Sequence, residues 1–448
     1  MRLLLGDFLG FLEKMTRLYG PVWQSRVALE HIGLINEPEL VQEALTTRSQ
    51  EFVRTRSQKR LIGRAVGNGL ILSDGDFWRR QRRLAQPAFH QQRLRTYLPV
   101  IHQIVERFVA GCPTEKPLAL GDEMKKLTLE IVAATLLGAR PPDDMGKLAQ
   151  AVNGIQVGVT RLLRLGVPLP AWLPTPNNRR LRRSVEALDA VILPVIAERR
   201  RDPGDHGDLL SMFLLAADSE DDQRHMTDEQ VRDEVATMFL AGHDTTSHLL
   251  AWTFLLLARH PAVYRRIQEE ADQVLSEKPP AMEDLRRLTY TEMVLKEVMR
   301  LYPPVYIILR EPVGDLELGG FSFPQGQMLL LCPWMLHRDP RNFKDPTTFD
   351  PERFAPGTAE GISRGAYLPF GAGPHQCIGR EFGVLEALMI VALFARKFDL
   401  EPSPGQSLEA EALITLAPRD GVEITLHPRG PRTPRSSEAS TLAGGPLP

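Results

Sequence analysis

The chain has few cysteines for its length: its 448 residues contain three, Cys112, Cys332 and Cys377. They lie far apart and form no C-x-x-C pair, so neither a disulfide framework nor a zinc site of clustered thiolates is expected. A chain with so few thiols suits a reducing compartment. We therefore predict a cytoplasmic protein without disulfides.

The sequence has no large excess of charge of one sign and no long run of apolar residues. The 54 lysines and arginines against 56 aspartates and glutamates give a net charge of −2, whereas nucleic-acid-binding domains usually carry a basic surface. The apolar run at 249–258 has half the length of a membrane span, and Asp7 comes too early for a signal peptide. Apolar positions 8, 11, 12, 15 and 18 instead fit a short amphipathic helix. No nucleic-acid partner and no membrane anchor are expected.

Most of the sequence shows the periodicity of apolar residues that is typical of helices. The candidate helices span residues 38–46, 76–84, 93–110, 122–137, 180–200, 228–259, 261–276, 290–301 and 379–396. The candidate strands span residues 21–35, 305–321, 328–333 and 412–427. The helix at 228–259 opens with Thr227 and Gln230 at capping-box spacing and is stopped by Pro261. The predicted fold class is mainly α with a small β region, and the polar tail 429–448 is expected to be disordered.

The segment 370-FGAGPHQCIGR-380 places Cys377 among three glycines, two residues after His375. Most free cysteines are buried structural thiols. Glycines, however, allow the backbone to pass close to a flat group and to point N–H groups at a sulfur. A helix that begins near Ile378 would also lower the thiol pKa. The pattern fits a metal ligand, or a nucleophile with His375 as its base.

A second segment, 241-AGHDTT-246, interrupts the apolar long helix with residues that disfavour helix interiors. Gly242 would open a groove at the backbone, and a threonine can donate to the carbonyl one turn earlier. A kinked core helix with a polar patch would explain this composition. An acid beside an alcohol, Asp244 and Thr245, also suits a proton relay.

Three shorter motifs carry charge. In 297-EVMR-300, Glu297 and Arg300 share a helical face at i,i+3. The motif 351-PERF-354 offers Arg353 as a second cation for the same carboxylate. In 78-WRRQR-82, Trp78 and Arg82 are spaced i,i+4, as in a surface cation–π pair. Each spacing alone is common on solvated helices.

Together and in this order, the motifs resemble those of the cytochrome P450 superfamily of heme-thiolate monooxygenases. The loop at 370–380 matches F-x-x-G-x-[HR]-x-C-x-G at every fixed position. AGHDTT is similar to the family's oxygen-activating helix segment, EVMR to its E-x-x-R motif, and PERF to the motif that completes its E-R-R triad. The resemblance covers roughly residues 10–427. It implies a single domain, residues 1–428, with a long central helix over a heme, rather than the three domains that length suggests.

The resemblance also implies roles by position. Cys377 would be the axial thiolate ligand of the iron of heme b, and thiolate ligation favours O–O cleavage. Asp244 and Thr245 would supply protons for oxygen activation. Glu297, Arg300 and Arg353 would lock the core. The residues expected to contact the heme, the propionates included, are Trp78, Arg82, Ala241, Arg310, Phe370, Gly371, His375 and Gly379.

An apolar substrate follows from the residues that the resemblance places around the heme. The implied substrate-facing ranges are Leu61–Leu70, Gln156–Leu165, Met238–Ala241, Val305–Ile308 and Ile414–Thr415. The residues nearest the heme would be Met238, Leu240, Ala241, Val305, Ile307 and Ile414. Such a lining holds its ligand by burial with few polar anchors. Arg161 and Arg164 would lie on a lid helix, where they would hold a carboxylate at the channel mouth or form a solvated face.

The implied reaction, hydroxylation or epoxidation of a small molecule, consumes O2 and electrons. Since the sequence shows no fused flavin or ferredoxin domain, a separate ferredoxin or flavodoxin with its reductase is expected, and the enzyme is expected to be a monomer. The donor would dock near Cys377. Its candidate cationic contacts are Arg79, Arg83, Arg341, Lys344 and Arg380.

Three alternatives stay open. A heme-thiolate enzyme that uses peroxide tends to lack the acid–alcohol pair, whereas Asp244 and Thr245 are both present. A heme-thiolate sensor or carrier needs neither a proton relay nor an apolar pocket. A cysteine hydrolase would need an acid and oxyanion donors in addition to His375, and residues 375 and 377 point apart on most backbones.

Overall fold

A computed structural model describes residues 7–27, 30–138, 142–165, 170, 172–217 and 225–430, and every structural statement below concerns these residues. The predicted disordered tail lies, from residue 431 onward, outside them. The side chain of Arg164 is also outside the described part of the chain.

Helices make up most of the structure, as predicted. The helices are α1 Phe8–Tyr19, α2 Pro38–Leu45, α3 Arg56–Leu61, α4 Gly63–Val66, α5 Gly75–Ala85, α6 Gln91–Gly111, α7 Leu120–Leu137, α8 Pro142–Leu165, α9 Pro176–Arg201, α10 Leu209–Leu215, α11 Asp228–Arg259, α12 Pro261–Val274, α13 Met282–Arg286, α14 Thr289–Leu301, α15 Pro333–Leu336 and α16 Arg380–Lys397. None of them, within the described ranges, is both long and apolar enough to cross a membrane.

Twelve short strands form four small sheets within the described residues. The strands are β1 Val22–Val27, β2 Glu30–Ile35, β3 Phe52–Val53, β4 Pro117–Leu118, β5 Ile308–Pro312, β6 Leu316–Leu318, β7 Phe321–Phe323, β8 Met328–Leu331, β9 Phe398–Pro402, β10 Ala410–Ala412, β11 Leu416–Pro418 and β12 Ile424–Pro428. The largest sheet has the order β1-β2-β8-β5-β3, in which only β2 and β8 are parallel. The others have the orders β4-β12-β9, β10-β11 and β6-β7.

The long helix α11 is the centre of the fold. Its N-terminus has the predicted capping box: the Thr227 hydroxyl accepts from the Gln230 backbone N–H, and the Gln230 side chain accepts from that of Thr227. From Leu249 to Ala258 every residue is buried, so this half of the helix is hydrophobic all round, as a helix through a core must be. α7, α14 and α16 pack around it.

Helix α8, 24 residues long, is absent from the helices that periodicity predicted. Three glycines at positions 146, 154 and 158 lower its intrinsic helix propensity. Two of them allow α9 to approach closely: a Cβ on Gly154 would lie 2.1 Å from the Ser184 hydroxyl, and one on Gly158 would lie 3.2 Å from Leu181. Packing against α9 therefore stabilises a helix that its own sequence favours weakly.

Candidate functional site

The loop that carries Cys377 is closed by a backbone hydrogen bond, in which the Cys377 N–H donates to the Phe370 carbonyl at 3.0 Å. Gly371 and Gly373 have φ angles of 69° and 68°, the left-handed region that side chains disfavour. A Cβ on Gly373 would lie 2.0 Å from the Leu45 carbonyl oxygen at the end of α2. Glycine is thus required twice over at position 373, by its dihedral angle and by the close approach of another segment.

The Cys377 side chain is accessible to solvent although it lies deep within the protein, so its sulfur faces an internal space. Burial raises the pKa of this thiol, while the Gly379 N–H and the nearby Arg82 and Arg380 oppose the rise. The prediction of a lowered pKa was therefore wrong for the thiol by itself. Helix α16 begins at Arg380, close to the predicted start, but desolvation of the thiol outweighs the effect of the helix N-terminus. A metal ion at the sulfur would reverse this balance, because coordination deprotonates a thiol.

A half-exposed stripe runs along the middle of α11. Positions 238, 241, 242 and 245 follow the spacing i, i+3, i+4, i+7 and are half-exposed, as is Leu240 beside them, whereas Phe239, His243 and Asp244 are buried. The predicted open groove at Gly242 is in part filled, because a Cβ there would lie 3.2 Å from a methyl group of Val132 on α7. Thr245 donates to the Ala241 carbonyl at 2.6 Å, the predicted bond to the preceding turn.

Three arginines converge on His375. Arg54 donates from its guanidinium to Nδ1 of His375 at 3.1 Å, Arg82 donates to the Gln376 carbonyl at 2.8 Å, and Arg310 donates to the Leu309 carbonyl at 2.9 Å. Within the described ranges none of these three guanidinium groups is ion-paired with a carboxylate. Burial and the three cations lower the pKa of His375 to about 3, and burial lowers that of Arg310 to about 9. This cluster of positive charge is suited to an anionic group.

His375 is held in one tautomer. Since the guanidinium of Arg54 can only donate, Nδ1 of His375 must accept, and the ring proton is on Nε2. The Trp78 ring lies against the imidazole, with 3.8 Å between ring centroids, and fixes its orientation. The predicted cation–π pair of Trp78 with Arg82 is not formed. Arg54 was missed by sequence reasoning because it begins the charged run 54-RTRSQKR-60, which looks like a solvated surface.

Asp244 is buried in a polar network. Gln156 of α8 donates to its Oδ1 at 2.7 Å, and the Thr415 hydroxyl donates to its Oδ2 at 2.5 Å. His248, one turn further along α11, contacts the same hydroxyl through Nδ1 at 2.7 Å. Sequence reasoning found Asp244 but neither His248 nor these contacts, because the three partners come from three separate elements.

The three residues of the predicted charge triad meet in the core. Arg300 donates to both carboxylate oxygens of Glu297, at 2.7 and 2.8 Å, and both side chains are fully buried. Arg353 donates to Oε1 of Glu297 at 3.4 Å. Arg300 also donates to the carbonyls of His337, Pro346 and Thr348. The triad joins α14 to the loop that contains PERF.

The predicted substrate-facing side chains are mostly half-buried. This holds for Met238, Leu240, Ala241, Ile307 and Ile414. Val305 is 42% exposed, and Arg161 is exposed as well. Gln156, from the predicted lid range, points its amide at Asp244. The accessible apolar surface therefore lies next to a buried acid.

Comparison with known proteins identifies the family. The chain matches the protein-family model described as Cytochrome P450 over residues 5–420. It is 34% identical over 400 residues to cyclooctatin synthase of Streptomyces melanosporofaciens, which covers 89% of this chain and 87% of that protein. It is also 34% identical over 396 residues to cyclooctat-9-en-7-ol 5-monooxygenase of the same organism, covering 87% and 84%.

A solved structure shows the same architecture. Cyanobacterial CYP120A1 with bound retinoic acid superimposes with a TM-score of 0.85 at 26% identity, covering 95% of this chain and 96% of that one. The chain therefore belongs to the cytochrome P450 family, and it is an oxygen-incorporating oxidoreductase. The prediction of a mainly α fold of this family with a small β region is confirmed.

The residues present fit the heme-thiolate cofactor that the family implies. An accessible sulfur lies deep inside the protein, on a loop whose glycines bring backbone N–H groups toward it. Two residues earlier in the loop, His375 is surrounded by Arg54, Arg82 and Arg310, and none of these three forms an ion pair with a carboxylate in the described ranges. The two carboxylates of a heme would supply the missing negative charge.

Proposed function

We propose that the chain forms a single domain over residues 1–428 that binds heme b and hydroxylates or epoxidises an apolar small molecule, with O2 and electrons from a separate donor. The observation that carries the proposal is the deep, accessible Cys377 sulfur beside the three arginines around His375. A thiolate ligand and a site for two carboxylates occur together in iron protoporphyrin IX proteins of this kind. No other arrangement in the described residues offers both.

Each residue then has a defined task. When bound, the heme supplies oxygen activation and the redox chemistry. Cys377 would ligate the iron, Phe370 would pack beside the sulfur, and Gly371 and Gly379 would allow the backbone to approach the heme.

The propionates would be held by Arg82, Arg310 and Nε2–H of His375, with Trp78 keeping the imidazole in place and Arg54 fixing its tautomer. Ala241 leaves space on the accessible stripe of α11.

Proton supply is the task of Asp244 and Thr245. Asp244 is the buried acid nearest the stripe, and Thr245 is the stripe's only hydroxyl. The Thr245 hydroxyl donates to the Ala241 carbonyl, which leaves its oxygen lone pairs available to accept a proton-donating partner. The triad of Glu297, Arg300 and Arg353 is structural: it is buried away from the stripe and holds backbone carbonyls.

The substrate that the lining favours is apolar with few polar groups. Met238, Leu240, Ala241, Val305, Ile307 and Ile414 present hydrocarbon surface and no charge, so binding would depend on burial. One similar protein is named for an alkenol, cyclooctat-9-en-7-ol, and the solved structure carries retinoic acid. Both names describe a largely hydrocarbon molecule.

The separate electron donor would dock near Cys377. Of the five predicted cations, Arg79 is paired with Asp76, and Arg341 with Asp339 and Glu37. Arg380 and Lys344 are exposed and form no ion pair within the described ranges, so an acidic ferredoxin or flavodoxin would find them available. The double variant Arg380→Gln, Lys344→Gln should slow reduction several-fold at low salt and little at high salt. Equal rates at low salt would contradict this docking site.

The decisive experiment is the ferrous carbon monoxide spectrum. The protein should show the strongly red-shifted Soret band of thiolate ligation, and Cys377→Ser should abolish it. Cys112→Ser is the matched control, since Cys112 is a half-buried cysteine at the C-terminus of α6, and the band should remain. Retention of the band in Cys377→Ser, or purification without heme, would overturn the proposal. A panel of apolar compounds scored by the low-to-high-spin shift would then identify the substrate class.

A further inference from the structure

Asp244 receives hydrogen bonds on both of its carboxylate oxygens from distant segments. Gln156 lies 88 positions away on α8, and Thr415 lies 171 positions away in the turn between β10 and β11. Asp244, Thr415 and His248 are each less than 8% exposed. The three functional groups form an unbroken line: the imidazole of His248, the hydroxyl of Thr415, then the carboxylate of Asp244.

The positions of the hydrogens in this line follow from what each group can donate. The hydroxyl of Thr415 donates to Oδ2 of Asp244, so its proton points to the acid. A hydroxyl has one proton, so at the contact of 2.7 Å with His248 the Thr415 oxygen must accept. His248 therefore donates from Nδ1–H. Every hydrogen in the line points toward Asp244, the polarity that a relay delivering protons to the acid requires.

The surroundings of His248 favour the neutral form of its ring. Burial lowers the pKa of His248, Asp244 opposes the shift, and the positive charge of Lys125 adds to it. Burial also lowers the pKa of the neighbouring His243, to about 4. With Nδ1 protonated in a neutral ring, Nε2 is a lone-pair acceptor. Lys125, whose charge acts on this ring, is itself exposed on α7.

We propose that His248 and Thr415 form a second arm of the proton supply, which reloads Asp244 after it has given up its proton. The Thr415 proton moves to Oδ2 of Asp244, the Nδ1 proton of His248 moves to the Thr415 oxygen, and a proton from solvent binds Nε2. One O–H bond forms on Asp244, one proton leaves solvent, and no other group changes charge. The line is restored when the hydroxyl of Thr415 turns back to Asp244 and the His248 ring returns, by losing the Nε2 proton and gaining one on Nδ1, to its starting tautomer.

The inference rests on the proposed function, since it assigns a source for the proton that Asp244 would deliver. His248 and Thr415 are positioning and relay residues, not catalytic residues, because they act through Asp244. Gln156 contributes differently: it donates to the opposite oxygen and so directs Oδ2 toward Thr415. Its amide cannot titrate, so it holds the carboxylate without exchanging protons with it.

The first test measures the tautomer of His248 and needs no turnover. In the ferrous carbon monoxide form of the full chain labelled with ¹⁵N-histidine, the His248 ring should show the neutral, Nδ1-protonated pattern, assigned by its loss in His248→Gln. Thr415→Val should move this ring toward the Nε2-protonated form. A native ring with its proton on Nε2 would reverse the polarity of the line and overturn the proposal. If His248→Gln does not fold, the loss of the same signal in His248→Asn gives the assignment.

The second test measures coupling. His248→Gln keeps a donor for Thr415 but cannot pass a proton through its ring, so product formed per electron should fall at least threefold, with a larger solvent deuterium isotope effect. The carbon monoxide band and the substrate-induced spin shift should not change. His260→Gln is the control: His260 is the C-cap of the same helix, where its ring contacts the Leu256 carbonyl and the ring of Phe349 and takes no part in the network of Asp244. Unchanged coupling in His248→Gln would overturn the relay, whereas a missing carbon monoxide band in the native protein would overturn the proposed function.

Discussion

The buried charge triad gives a prediction of stability that can be worked from its contacts. In Glu297→Gln, one carboxylate oxygen becomes an NH2 group. Both oxygens accept from guanidinium groups, Oε2 from Arg300 and Oε1 from Arg300 and Arg353. Whichever way the amide turns, its NH2 group therefore faces a donor, and Arg300 stays buried without a neutralising charge.

The expected loss is about 3–5 kcal/mol of unfolding free energy, the usual cost of removing one partner from a buried ion pair. Arg300 keeps its three carbonyl acceptors, which places the cost nearer the lower limit of that range. The matched control is Lys296→Gln on the same helix, whose ion pair with Glu292 is 2.8 Å long but more than a third exposed. That substitution should cost about 0–1 kcal/mol.

Urea unfolding followed by far-ultraviolet circular dichroism, at equal heme loading, measures both variants. Heme loading must be matched because a ligand that binds the native state adds to its stability. If Glu297→Gln and Lys296→Gln unfold at midpoints that differ no more than their errors, the carboxylate is not holding the core, and the structural role of the triad is wrong.

Three further predictions concern the site and its supports. Gly373→Ala should lose most of its bound heme, because the new methyl group adds a steric clash to the dihedral strain. Gly405 also has a positive φ of 72° but open space around it, so Gly405→Ala should lower the unfolding free energy by only about 1–2 kcal/mol. Equal heme content and equal melting temperatures in the two variants would contradict this prediction. Burial raises the pKa of Glu234 to about 7 from 4.5, so its stabilising contribution is complete below pH 4.5 and is lost as the pH rises through 7. Glu234→Gln should remove about 3 kcal/mol of that pH dependence in unfolding experiments, and an unchanged slope would show that Glu234 titrates normally. Thr245→Ala should release peroxide and form several-fold less product per electron. Thr253→Ala removes an equivalent hydrogen bond, to the Leu249 carbonyl, and should change neither quantity. Equal product per electron in the two variants would place the proton supply elsewhere.

Local sequence signals predicted the elements whose ends are set by local chemistry. The capping box at Thr227 and the proline at 261 correctly predicted both ends of α11, residues 228 and 259. The alternation at 21–35 predicted β1 and β2, which pair in antiparallel register with Val22 opposite Ile35. By contrast, α8 depends on its contact with α9, and β3 and β4 are two-residue strands that exist only through their partners. Propensity carries no information about such contacts.

The candidate site divides in the same way. The Cys377 loop and the acid–alcohol pair are contiguous in sequence, so their patterns are visible there. The direction of the Cys377 pKa was not predictable, because the desolvation that sets it comes from segments packed around the loop. The partners of Asp244 and the proximity of Arg54 to His375 depend on residues separated by 88 to 321 positions. Only the folded chain brings these together.

The contact between Gly373 and the Leu45 carbonyl has a consequence for synthesis of the protein. The loop that carries Cys377 packs against the end of α2, which is 328 residues earlier in the sequence. Arg54 contacts His375 across a similar separation. A nascent chain cannot form this contact until Gly373, which lies in the last quarter of the chain, has left the ribosome. Contacts of such separation are slow to form, and domains of this size expose apolar surface while they wait. We expect heme capture to be a late, post-translational event, so expression with a scarce heme supply should yield an aggregation-prone chain.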